Sequence, residues 1–253
     1  MRDVPAVPAT LALFSDVHGN RRALEAVLED LASVEPDAVY CLGDLVGYGP
    51  DPNGVIELLR ARGIPSLLGN YDQGVAWETG DCGCYYADDE AKRIGEASYA
   101  YTVTEVTTEN KAYLRSLPLE LHLTLAAHTV HLVHGSPRRI NEYLLRDRDR
   151  RTYERLAAAE SAEVLAFGHT HQAWSQRYGR VLFVNVGSVG RPKDGDPRAA
   201  YVVLRATPGA TGSHPSEITV EIRRVAYEVE ATVQAILRAG LPPQLAEAVR
   251  EGR

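Results

Sequence analysis

No apolar run in this chain approaches the roughly 20 residues a bilayer-spanning helix needs, so the sequence predicts a protein that lies outside the membrane. An excess of positive charge is also missing: 27 Lys and Arg stand against 34 Asp and Glu, a formal net charge of −7. That balance argues against a protein that coats nucleic acid, which needs a basic face. It leaves room for a small anionic partner, because bound metal ions reverse the field locally. Cysteine is scarce, with three in 253 residues. Cys41 lies in an apolar run and reads as a small core residue. Cys82 and Cys84, in "DCGC", are too close for an ordinary disulfide staple and lack the second pair a zinc site would need. All three are expected to be reduced, as in the cytoplasm. The opening "MRDVPAVPATLALFSD" carries two prolines and meets an acid too early for a secretory leader. Repeats and low-complexity tracts are absent.

What is present is an ordinary folding composition, 45% hydrophobic and 24% charged, over enough residues to bury a sizeable core. "TLALFS" (10–15), "AVYCLG" (38–43) and "IPSLLG" (64–69) are short runs without a polar face, as in central parallel strands. Amphipathic helices separate them: Ala23, Leu24, Val27, Leu28 and Leu31 share one stripe, and Pro52 and Asn53 open a second helix that Gly63 ends. This predicts βαβ crossovers. Residues 75–118 hold no convincing strand and read as a helical insertion within a single domain spanning 1–253. Strands return at 119–126, 128–135, 163–168, 180–187, 199–206 and in "EITVEIRRV", after the turn-rich "TPGATGSHPS". Their shorter connections predict antiparallel hairpins, and two helical stretches close the chain. The expected architecture is α/β, two packed mixed sheets flanked by helices.

Each of these strand ends carries a polar group of metal-binding type. "SDVHGN" gives Asp16 and His18, "LGDLVG" Asp44, "LGNYD" Asn70, "VHGSP" His134, and "GHTHQ" His169 and His171. The steps 16→44 and 44→70 each match one βαβ unit of about 30 residues. That period sets Asp16, Asp44 and Asn70 at the carboxyl ends of neighbouring parallel strands, where open α/β sheets build their sites. Two carboxylates, four imidazoles and one amide exceed the ligands of a single zinc ion. They suit two borderline divalent ions sharing a carboxylate, and Asp44, alone after the central strand, is the natural bridge.

The set "DVHGN … GDLVGYGP … GNYD … HGSP … GHTH", spanning about residues 10–190, resembles the calcineurin-like metallophosphoesterase superfamily. The later "GSVGRPKDGDPRAAY" is similar to the small bacterial and archaeal phosphodiesterase branch. The resemblance implies a four-layer α/β/β/α sandwich with a dinuclear centre. In it, Asp16, His18, Asp44 and His171 would hold one ion, and Asp44, Asn70, His134 and His169 the other. It implies hydrolysis of a small phosphodiester by a metal-bridging hydroxide, with no side-chain nucleophile. The ions would be two of Mn, Fe, Ni, Co or Zn, with Mn favoured. Expected partners are the small phosphoester alone, without membrane or large nucleic acid; the oligomeric state is open. The competing readings are a protein phosphatase or dinucleoside-polyphosphate hydrolase, and a metal-binding scaffold without catalysis. Tyr48 stands where the first two branches carry an arginine, which counts against them.

Other residues are weighed beside this set. Many relatives carry a histidine after the ligand asparagine; here Tyr71 stands, a candidate catalytic hydrogen-bond donor or a wall residue. A phenol is a poor proton donor, which favours diesters or activated esters over monoesters. Asn20 is placed equally to touch phosphate or to cap the first helix. Arg138, Arg139 and Arg191 are candidate phosphate ligands. Asp72 is a candidate to orient His18. Tyr85, Tyr86, Tyr99 and Tyr101 either stack on a base or pack the helices. His122, His128 and His131 read as ordinary strand residues and His214 as a loop residue.

Overall fold

The computed structural model describes residues 9–207 and 217–253; the first eight residues and 208–216, His214 among them, lie outside the described part. Strand β1 (Thr10–Phe14), helix α1 (Arg21–Val34) and strand β2 (Ala38–Cys41) form the first βαβ unit, with Leu11 opposite Ala38 and Phe14 opposite Cys41. Helix α2 (Pro52–Ala61) follows, capped by Asp51, whose Oδ1 accepts from Gly54 N at 2.9 Å. The third strand expected at 64–69 is reduced to one parallel bridge, Cys41 to Ser66. Pro65 has no N–H to give the ladder, and Leu68 N turns away to Pro118 O at 2.8 Å. Helix α3 (Asn70–Trp77) starts ahead of the helical stretch expected from 75, and α4 (Asp89–Glu105) and α5 (Thr108–Arg115) lie within it.

The second half departs from the expected run of hairpins. Strand β3 (Glu120–Leu125) does pair antiparallel with β4 (His128–Val133). Helix α6 (Arg150–Ala159) then carries the chain over to β5 (Val164–Phe167), which lies parallel to β4. After β6 (Ala173–Tyr178), β7 (Val181–Val186) lies parallel to β5 and antiparallel to β6. Helix α6 and strand β6 escaped the sequence reading because neither carries a continuous apolar pattern. β6 exposes Ser175, Gln176 and Arg177, and α6 buries only Tyr153, Leu156 and Ala157. Strands β8 (Ala199–Thr207) and β9 (Glu217–Val225) precede α7 (Val229–Arg238) and α8 (Pro243–Glu251). The sheets run β2-β1-β8-β9 and β3-β4-β5-β7-β6. No described helix is long and apolar enough to cross a membrane.

Side-chain alternation along the strands makes the layers. Leu11, Leu13, Val202 and Leu204 of the first sheet meet Val130, Leu132, Val164, Ala166 and Val184 of the second in one buried cluster. The intervening residues, Ala12, Phe14, Tyr201 and Val203, face α1 and α2, where Leu24, Val27, Ile56 and Leu59 cover them. On the far side Leu165, Phe167 and Phe183 pack against Tyr153 and Leu156 of α6. Two sheets back to back, each with a helical outer layer, give the four-layer sandwich. Each fully buried Leu, Val or Phe contributes roughly 1.5–3 kcal/mol, so the strands are held firmly and their carboxyl ends become a rigid rim.

Candidate metal centre

That rim gathers all seven candidate ligands. Asp16 and His18 follow β1, Asp44 follows β2, His134 follows β4, His169 and His171 follow β5, and Asn70 opens α3. Every one is buried, with at most 3% exposure. Asp16 N donates to Gly43 O at 2.9 Å and His18 N to Asp44 O at 3.0 Å, so the loops after β1 and β2 are laced together. Across the sheets, Gly168 N donates to His134 O at 2.8 Å and His169 N to Asp16 Oδ2 at 2.9 Å. Asp16, His18, Asp44, His169 and His171 all adopt positive φ, between 49° and 65°. Such backbones are costly for residues with a Cβ and persist where the surroundings over-determine them. Here the left-handed turns aim the five side chains inward.

The ligands fall into two groups, Asp16 with His18 and His171, and Asp44 with His134 and His169. Asp44 Oδ2 stands between them, 3.7 Å from His18 Nε2 and 3.4 Å from His134 Nε2, while its Oδ1 accepts from Tyr71 N at 2.8 Å. Backbone carbonyls fix three tautomers. The Nδ1–H of His18 donates to Val46 O, that of His134 to Leu42 O and that of His171 to Arg191 O, at 2.9, 2.8 and 2.6 Å. Their Nε2 atoms therefore point inward. His18 Nε2 lies 3.1 Å from His171 Nε2, and His134 Nε2 lies 3.0 Å from Asn70 Oδ1. Asn70 presents that oxygen because its Nδ2 donates to Cys82 O at 2.8 Å. Asp16 Oδ1 and His169 Nε2 are buried with no hydrogen-bond partner. These atoms turn electron pairs inward without a protein donor to meet them, an arrangement that cations relieve. The residues present thus fit divalent metal ions, with carbonyl-oriented imidazoles of the kind metal sites use.

The charges agree. Burial lowers His18, lowers His169 to about 4 and carries His171 well below its ordinary value, so these rings are neutral donors. Burial also opposes protonation of His134, but the carboxylates of Asp44 and Asp16 outweigh it and raise it to about 9. Asp44 is held below the usual carboxylate range, His134 overcoming burial, whereas burial pushes Asp16 up. The pocket thus holds a proton on His134 that pairs with Asp44, and a bound cation would displace it.

The flanking residues distribute differently from expectation. Tyr71 lies behind the ligands and does not open onto the cavity: its ring is edge-on to His18 with centres 5.8 Å apart, and its buried hydroxyl is 2.8 Å from Ser98 Oγ on α4. Asp72 does not orient His18; it accepts from Leu45 N, Val46 N and Gly69 N at 2.8, 3.2 and 3.0 Å, stitching the β2 loop to α3. Asn20 caps α1 and its amide is fully engaged: Oδ1 accepts from Ala23 N and Thr232 Oγ1, and Nδ2 donates to Gly190 O and Tyr227 OH. Its substrate role is therefore withdrawn. Arg138 is tied to Glu142, and Arg139 is exposed. Arg191 does face the site, its guanidinium 4.3 Å from the Tyr48 ring centre and its Nε buried without a partner. Tyr99 and Tyr101 pack the helices through bonds to Gly74 O and Pro50 O. Cys82 and Cys84 are joined as a disulfide, contrary to the expectation of free thiols; Gly83 between them, at φ +63°, lets so short a loop close.

The sequence reading missed Tyr143, whose ring lies 4.1 Å from that of His169, and Lys193. With Tyr48, Tyr85, Tyr86 and Arg191 they line a cavity of about 200 Å³ beside the ligands. Burial and the Arg191 charge bring Lys193 down to about 7. The spacing Arg191-x-Lys193 was the one visible hint.

A glycine gives the site its tightest tolerance. A Cβ on Gly69 would stand 2.1 Å from Asp44 Oδ1 and 2.2 Å from Asp44 N. Gly69→Ala is expected to cost about 3 kcal/mol and to release bound metal. Chemical denaturation with elemental analysis checks both, and a normal metal content would contradict the stated packing.

Comparison with known proteins agrees with this geometry. Residues 10–208 match the family model of the calcineurin-like phosphoesterase superfamily domain. The crystal structure of a metallophosphoesterase from Sphaerobacter thermophilus superposes with a TM-score of 0.73 at 31% identity, covering 97% of this chain and 100% of that one. An uncharacterized protein of Methanocaldococcus jannaschii is 29% identical over 98% of this chain and 100% of its own length. Phosphodiesterase YfcE of Escherichia coli K12 is 26% identical over 77% of this chain and 86% of its own.

Proposed function

The chain belongs to the calcineurin-like phosphoesterase superfamily, and from that premise we propose that it hydrolyses a small phosphodiester at two divalent metal ions. Asp44 Oδ2, poised between the two ligand groups, is the observation that carries this reading. Asp16, His18, Asp44 and His171 would hold one ion, and Asp44, Asn70, His134 and His169 the other. When bound, such ions supply Lewis-acid chemistry, activating water near neutral pH and offsetting charge on the phosphoryl oxygens. Mixed nitrogen and oxygen donors suit Mn, Fe, Co, Ni or Zn, of which we favour manganese.

The chain's own residues prepare the substrate. Arg191 brings a guanidinium over Tyr48, the position where other branches carry an arginine, and so offers a planar fork to a phosphate. Lys193 stands in the same cavity and, brought down to about 7, would take up a proton beside a phosphate. Tyr48 and Tyr143 wall the imidazoles from solvent, with ring centres 4.9 Å from His18 and 4.1 Å from His169. Excluding water strengthens each charge interaction with the phosphate. The likeness to the phosphodiesterase of Escherichia coli supports a diester as the substrate.

Comparing an aryl phosphodiester with its matching monoester, with manganese and after chelation, tests this reading. Faster diester turnover that chelation abolishes is expected. Equal or faster monoester turnover would overturn the substrate assignment. Arg191→Ala is expected to raise KM about 10–100-fold with a smaller loss in kcat, the scale of one charged hydrogen-bonding group. Steady-state kinetics read the split, and an unchanged KM would remove Arg191 from the site.

A further inference from the structure

We propose that the outer face of the β3–β4 edge holds a separate transition-metal site made by Glu120, His122 and His131. The three were ordinary strand residues by sequence, but the register brings them together. His122 and His131 are directly opposite across the antiparallel ladder, and their rings stack 4.1 Å apart at 19°. Glu120, two residues before His122, shares its face. Its Oε2 lies 3.1 Å from His131 Nε2 and its Oε1 3.8 Å from His122 Nε2. A tetrahedral ion with ligands at 2.0–2.1 Å separates its donor atoms by roughly 3.3 Å, so these distances need only small side-chain shifts. The cluster shares no residue with the strand-end centre.

Glu160 supplies the independent observation. Its Oε1 accepts from Ser161 N and Ala162 N at 2.8 and 2.9 Å, and its Oε2 lies 2.8 Å from His131 Nδ1. Two backbone donors fix this buried group as a carboxylate, so the Nδ1–H of His131 donates to it and Nε2 is turned outward toward Glu120. A carboxylate behind a histidine is how metal sites orient that ligand and raise its basicity. Glu160 and His131 are buried, 7% and 4% exposed, whereas Glu120 and His122 are open to solvent. The site is rigid on its inner side and has an entry path and room for a water ligand on the other. One divalent ion balances the two carboxylates once the imidazoles bind it as neutral ligands. Two imidazoles and a carboxylate select zinc, nickel or copper over calcium or magnesium. Such an ion would pin edge strand β3 to β4.

Zinc is the probe. The full chain, His122→Ala and Glu120→Ala are equilibrated with Zn²⁺, freed of excess, and analysed for bound zinc and for diester hydrolysis. The unmodified chain is expected to retain one more zinc per chain than either variant, with hydrolysis unchanged in all three. Equal zinc content in the three proteins would overturn the proposal. So would parallel loss of zinc and hydrolysis, which would place the missing ion in the strand-end centre. The comparison counts a difference of one ion, so it stands whether that centre holds one metal or two.

Discussion

Asp44→Ala is expected to lose metal and hydrolysis together, lowering kcat/KM at least about 1,000-fold, or about 4 kcal/mol of transition-state stabilisation. Every other candidate ligand belongs to one group, whereas Asp44 Oδ2 is placed between His18 and His134. Removing it also leaves His18, His134 and Asn70 aiming electron pairs into a space with one charge fewer to hold a cation. The fold itself should tolerate the change. The direct backbone loss is the acceptor for Tyr71 N, worth about 1 kcal/mol. Elemental analysis, turnover and denaturation on one preparation separate these effects. Unchanged turnover in a folded variant would sink the shared-ligand arrangement.

Tyr71→His is expected to give no monoesterase and to lose about 3 kcal/mol of stability. The change restores the residue that many relatives carry, yet the side chain at 71 backs onto His18, ring centres 5.8 Å apart, and sends its polar end away toward α4. Its ring packs 4.9 Å from Tyr48 and 6.3 Å from Tyr99, with the hydroxyl against Ser98. An imidazole is smaller, leaves a void among these rings, and buries ring nitrogens without Ser98 in reach. Tyr71→Phe, which loses only the hydroxyl, should cost about 1 kcal/mol. Urea denaturation of both variants and a monoester assay of the first check this. A rise in monoester hydrolysis would show that position 71 does face the substrate.

Tyr71 also shows where the sequence stops being informative. Asn70 opens α3, so residues 70 and 71 lie about 100° apart around the helix. With Asn70 turned to the ligands, Tyr71 must turn toward α4. The one-letter pattern carries the neighbour relation but not that helix start. The convergence of the seven candidate ligands was legible because each ends a strand or its equivalent, and the βαβ period spaces the first three. The layers were legible from apolar runs, but the direction of β5 and β7 was not. That direction depends on α6 and β6, whose polar faces mask their pattern. The pairing of Cys82 with Cys84 depends on a loop folded against Asn70, since Cys82 O accepts from its amide. The neighbourhood of Lys193 and Tyr143 is tertiary throughout, assembled from segments 50 residues apart with no shared motif.

The two-ion account is tested most directly by titrating chelated protein with Mn²⁺ while following diester hydrolysis and bound metal. The His122→Ala background keeps any ion at the β3–β4 edge out of the count. Activity is expected to stay low through the first ion and to reach its plateau as the second binds. Full activity at one ion per chain, or after complete chelation, would contradict it.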